Sequence, residues 1–226
     1  MMRVLIAALL ALPGQALGQV YDHLEPDDSI FGYEWSRDYY SNVAQVLGSV
    51  VPDGSPRVYV LPSNMNEYVI GIDDEEEPCR VVFGRAEYTI WVYESRKQTP
   101  ELYALTSDFP EDPRSVAVEV SSQPVPADQC ERIRGAWTAV LLRTRYPDPD
   151  EARLGLDGVS FRFSVWQRGL GMLSGKTWSP ERQTVPGKLV ALSLAMRNYA
   201  RSGDRDSYEP MVRALAEVEL ALESAR

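Results

Sequence analysis

Arg57-Val-Tyr-Val-Leu61, Glu67-Tyr-Val-Ile-Gly-Ile72, Arg80-Val-Val-Phe83 and Glu87-Tyr-Thr-Ile-Trp-Val-Tyr93 are four short runs rich in β-branched and aromatic residues. Turn-forming residues separate them, so the spacing predicts an antiparallel meander. Gly84-Arg85 reads as a tight hairpin connection, and Leu102–Leu105 and Val116–Val120 as further strands. Later in the chain, Val159, Phe161, Phe163 and Val165 alternate with Ser160, Arg162 and Ser164. That period of two marks a half-buried strand, and Gly171–Trp178 follows as its hairpin partner.

Helical periods fill most of the rest. Ser36–Leu47 carries Tyr39, Tyr40, Val43 and Leu47 at helical spacing. Asp128 with Glu131 three residues on resembles a capping box. It opens a helix whose apolar face is Ile133, Trp137, Val140 and Leu141, ended by Pro147 and Pro149. Gly187–Tyr199 and Tyr208–Ser224 close the chain as two amphipathic helices, the second presenting Met211, Leu215, Val218 and Leu222. The expected fold is α+β: an antiparallel sheet packed against a central helix and two C-terminal helices.

Met1–Gly18 reads as a signal peptide. Arg3 supplies a positive n-region and Val4–Leu12 an apolar run. Ala16 and Gly18 are small residues before a cut at Gln19. Residues 19–34 read as an extended, flexible arm, and 35–226 as one α+β domain. A split near 124–127 into two subdomains is the alternative. No later run has the roughly 20 apolar residues that a membrane helix needs. The reading is an exported protein of periplasm or medium. The absence of N-x-Ser/Thr sequons points to a bacterial source.

The formal net charge over 226 residues is −10. A surface of that sign repels nucleic acid and anionic lipid; it reads as a solubility feature, with a basic partner as the alternative. Cys79 and Cys130 are the only cysteines. In an oxidising compartment they predict one disulfide, closing a loop of about 50 residues worth roughly 2–4 kcal/mol.

Sequence motifs exclude more chemistry than they support. Gly169-Leu-Gly-Met-Leu-Ser-Gly-Lys-Thr177 misses the phosphate-binding loop by one position, because Leu170 stands where the first glycine is required. Trp178-Ser179-Pro180 follows where a helix should start, so a glycine-bearing hairpin is the better reading. His23 is the single histidine, which leaves little material for a histidine-based triad or a zinc site. No catalytic residue, metal ligand or cofactor is assigned. Carboxylates remain as acid–base groups. Glu87, Glu94, Glu101 and Asp157 are candidates by position only, while Trp91, Trp137 and Trp166 lie in apolar patterns that read as core.

Two segments are candidate partner-binding features. Asp73, Asp74, Glu75, Glu76 and Glu77 form an acidic run before Pro78. It reads as a solvated turn, with contact to a basic partner and calcium binding as alternatives. Trp178 and Lys176, with Arg162 and Arg168, form an aromatic and basic ledge if the hairpin edge is exposed. Packing of Trp178 onto the last helices is the alternative.

Three function classes follow. The first is an exported non-catalytic binding protein, inhibitor- or immunity-like, that meets a basic protein partner. The second is a carboxylate-based hydrolase of envelope or extracellular polysaccharide. The third is an envelope assembly protein self-associating through 208–224.

Overall fold

The computed structural model describes residues 19–27, 34–75, 77–99, 101, 109–148 and 158–224. Segment 1–18, expected to be a signal peptide, the expected strand Leu102–Leu105, Glu76 and Asp157 lie outside the described residues. The strands are β1 (Arg57–Pro62), β2 (Tyr68–Asp73), β3 (Arg80–Ala86), β4 (Val118–Pro124), β5 (Val159–Gln167) and β6 (Gly171–Trp178). The helices are α1 (Glu34–Leu47), α2 (Trp91–Gln98), α3 (Ala127–Leu141), α4 (Val185–Ser202) and α5 (Arg205–Ser224).

All six strands join one antiparallel sheet in the order β4-β3-β2-β1-β5-β6. The meander and the later hairpin meet because β1 pairs with β2 on one edge and with β5 on the other. Alternation then sorts the side chains onto two faces. On the first face Val58 and Val60 of β1 stand beside Phe163 and Phe161 of β5, with Ile70, Ile72 and Phe83 further along. Helices α3, α4 and α5 cover this face. Trp137 of α3 meets the edge of Phe163 with ring centroids 5.3 Å apart.

The Cys79–Cys130 disulfide ties the residue before β3 to the first turn of α3, with Cα atoms 6.4 Å apart. On the second face α1 and α2 cover β1 to β3, burying Val43, Leu47, Val69, Val82 and Ile90.

Several local expectations are corrected. Glu87–Tyr93 is not a strand: Trp91 onward is helix α2. The reason is a distant carboxylate. Glu67, fully buried, accepts from the backbone N–H groups of Ile90 (2.7 Å) and Trp91 (3.0 Å). These are the orphan donors that every helix start must satisfy, so a residue 24 positions away supplies the cap. Gly84-Arg85 is not a hairpin; β3 runs straight through it, with Gly84 paired to Val69 and Val120. A Cβ on Gly84 would stand 2.7 Å from the Val50 side chain. Gly84 therefore permits close approach rather than a turn. Helix α3 begins after Pro126 with no side-chain cap. Asp128 sits in its first turn, where a carboxylate complements the helix dipole.

Over its described part the arm is docked on the sheet. Glu25 N–H donates to Lys176 (2.9 Å) and Lys176 N–H to Glu25 (2.7 Å), while Gln19 N–H donates to the Ser179 carbonyl at 3.2 Å. Residues 19–25 thus occupy the outer edge of β6, whose main-chain groups would otherwise lack partners. Leu24 is wholly buried in the main core, and His23 is buried beside Tyr21. The Asp22 carboxylate accepts from Val185 N–H at the start of α4.

Met211, Leu215, Val218 and Leu222 are buried against the chain's own core, so this face of α5 is already used and offers no seam to a second copy. Accordingly, Leu215→Glu is expected to lower stability by more than about 3 kcal/mol, since it buries an unpaired carboxylate. Circular dichroism should report global unfolding, not a folded monomer. Tyr39 donates its hydroxyl to Glu67 at 2.8 Å. Burial, then the Glu67 charge, raises its pKa well above the ordinary 10.0. A raised folded-state pKa gives stability that is complete below about pH 10 and lost above it. Urea unfolding from pH 8 to 11 should show this alkaline decline, and Tyr39→Phe should flatten it.

Candidate functional site

Among the described residues, helices α1 and α2 lie over β3 to β1, Tyr40 of α1 reaches Arg162 of β5, and no helix covers the rest of the second face of β5 and β6. Ser160, Arg162, Ser164 and Trp166 of β5 project there, paired across the hairpin with Trp178, Lys176, Ser174 and Met172 of β6. Two cavities flank this strip at opposite ends. Met172 and Lys176 are four residues apart on β6, about 13 Å at the usual strand rise.

At the hairpin tip lies a broad, shallow hollow of about 700 Å³, lined by Asp53, Asp74, Glu75, Arg134, Trp166 and Met172 among others. The Asp74 carboxylate accepts from Arg134 Nε and from the Ser55 hydroxyl, both at 2.6 Å. Trp166 is 49% exposed, Met172 54% and Leu170 60%, so three large apolar side chains face solvent on one hairpin end. Exposed apolar groups gathered in this way are characteristic of interaction surfaces. Trp166 is thus not core, contrary to the sequence expectation. The alternation itself carried the signal, because Trp166 shares parity with Ser160, Arg162 and Ser164. Trp137 is wholly buried as expected, while Trp91 is 37% exposed.

The acidic run reaches the same end. Asp73 closes β2 and accepts from Glu75 N–H at 3.2 Å, Asp74 is held by Arg134, and Glu75 and Glu77 are exposed. Among the described residues no group of three or more His, Cys, Asp or Glu is placed to hold a metal ion. With Asp74 committed to a guanidinium, the described part of the run presents anionic charge rather than a cation cage. Arg168 lines this hollow too.

At the other end Trp178 and Lys176 come together with Arg162, as the sequence expected, but apart from Arg168 and the acidic run. They line a second cavity of about 340 Å³. Trp178 is half-buried and does not pack on α4 or α5. It leans against Gly158, where a Cβ would stand 2.5 Å from the indole ring. Arg162 gives two bonds to Asp27 (Nε 2.8 Å, Nη2 2.6 Å), and its guanidinium lies 3.7 Å from the centre of the Tyr40 ring. The glycine-bearing segment 169–177 forms the β5–β6 turn and β6, with Gly169 and Gly171 at positive φ.

Of the carboxylates proposed for acid–base work, Glu87, Glu94 and Glu101 line neither cavity, and Asp157 lies outside the described residues. Glu94 is buried on α2, where Asn42 donates to it at 3.2 Å, and Glu87 and Glu101 are exposed. Glu67, missed at the sequence level, is buried but structural: two backbone N–H groups, Tyr39 and Thr89 all donate to it.

No family model matches this chain, and no curated protein or solved structure is significantly similar to it. Among the described residues no helix is long and apolar enough to cross a membrane. Gly158→Ala is expected to displace the Trp178 indole and lower stability by about 1–3 kcal/mol. Urea unfolding, followed by a shift in tryptophan emission, checks that placement.

Proposed function

We propose that this chain is an exported, non-catalytic binding protein that docks on a basic protein partner through its hairpin tip. The observation that carries the reading is the exposed Trp166, Leu170 and Met172 cluster next to the acidic turn. Large apolar anchors inside a charged rim are the usual anatomy of a recognition surface. The anchors supply the binding energy, and Glu75 and Glu77 with Asp53 steer a partner of opposite charge. An inhibitor- or immunity-type role fits such a surface, because apolar anchors beside an acidic rim complement the basic site of a partner. The Met1–Gly18 pattern and the disulfide support export.

Affinity capture from the secreted and envelope fractions of the source cells tests this. A basic protein should be retained at low salt and released at high salt. Trp166→Ser with Met172→Ser should reduce its retention at least tenfold. Glu75→Lys with Glu77→Lys should weaken it and reverse the salt dependence, leaving the Asp74–Arg134 pair intact. Retention unchanged by both double variants would reject the tip as the docking surface. N-terminal sequencing of the protein recovered outside the cytoplasm should begin at Gln19; a chain beginning at Met1 would reject that cleavage, and recovery from the cytoplasm alone would reject export.

A further inference from the structure

We infer that the cavity between the N-terminal arm, α1 and the β5–β6 sheet face is a binding site for a small organic acid with a flat ring. The inference does not depend on the docking reading, since none of the hairpin-tip side chains lines this cavity.

Its origin lies in the architecture. The helix layer ends at α1, and the arm turns along the β6 edge, so a slot is left between them with the sheet as floor. The volume, about 340 Å³, suits a small ligand. The slot has aromatic walls: Tyr40 from α1 and Trp178 from β6 both line it. Tyr40 is held in place by the Arg162 guanidinium stacked on it, and Trp178 by Gly158. These are rigid apolar surfaces on which a planar ring can lie.

The polar groups are mostly donors. Lys176 lines the slot and makes no ion pair among the described residues. Its neighbour across the strands, Arg162, spends Nε and Nη2 on Asp27, which leaves Nη1 as a further donor. The Trp178 indole N–H and the Ser160 hydroxyl have no hydrogen-bond partner among the described residues either. A ligand that answers these groups must accept hydrogen bonds and carry negative charge, which a carboxylate does. Glu25 is the one acid lining the slot, and its Oε1 accepts from the Gln19 side-chain amide. Its charge opposes an anion, so it moderates affinity rather than abolishing it.

The main-chain bonds of Lys176 to Glu25 fix the backbone beneath the ammonium on both sides (2.9 and 2.7 Å). Substitution at Lys176 therefore changes the charge in the slot while leaving the arm docked.

Titration calorimetry with the full chain tests the inference, using indole-3-acetate and the neutral indole-3-acetamide as matched probes. The acid should bind about tenfold more tightly than the amide, the ratio expected for one charge-assisted contact. Lys176→Gln should bring that ratio close to one without changing the thermal midpoint, and Tyr40→Ala should weaken both probes. Glu25→Gln should tighten the acid alone. Equal affinities for acid and amide would overturn the inference, as would an acid preference that survives Lys176→Gln, or no binding of either probe. Binding of a neutral oligosaccharide that Tyr40→Ala abolishes and Lys176→Gln leaves intact would replace it with a sugar site. If Lys176→Gln fails to fold, high salt serves in its place: an acid preference unchanged between low and high salt overturns the inference.

Discussion

Strand β1 is hydrogen-bonded along both edges, to β2 and to β5, and the rest of the molecule is organised around that double pairing. It joins residues from the first third of the chain to a hairpin about a hundred positions later. It aligns Val58 and Val60 with Phe163 and Phe161, so that one continuous apolar face exists for α3, α4 and α5 to cover. Without it the meander and the hairpin would each present a small two-sided sheet with more open edges, a marginal arrangement in water. The disulfide reinforces the same unit from the other side by fixing α3 to the start of β3.

Polar groups at the margins of this sheet are satisfied from far away in sequence. Glu67 caps α2 across the loop after β1, and the arm supplies main-chain partners to β6. Asp22 of the arm then reaches the start of α4. Each of these contacts removes an unpaired buried donor or acceptor, whose cost would be comparable to a large part of a domain's net stability. They explain why the N-terminal arm is part of the core and not an appendage.

Unequal helix cover decides which part of the sheet is left open among the described residues. Three helices cover one face of the sheet. Two short ones cover about half of the other. The uncovered half carries an exposed apolar tip beside the acidic turn at one end and an aromatic, donor-rich slot at the other. The two differ in chemistry because β5 and β6 place Trp166 and Met172 near the turn, and Arg162 and Lys176 near the arm.

Much of the fold was legible in the sequence by itself. Period-two alternation located β5, the glycine-bearing turn after it placed β6, period-3.6 stripes located α1, α3, α4 and α5, and two lone cysteines named the disulfide. These signals are local: each depends on which side of one element faces the core. Tertiary structure alone decided the pairing of β1 with β5, the docking of the arm and the helical state of residues 91–98. It also decided that the acidic run and the Trp178–Lys176 ledge lie at separate ends. Those outcomes depend on hydrogen-bond partners and close approaches between residues distant in the chain, such as Glu67 with Ile90 and Val50 against Gly84. No local period encodes them. Trp166 lies between the two cases: its parity was readable, but its exposure followed only from the lack of a helix above it among the described residues.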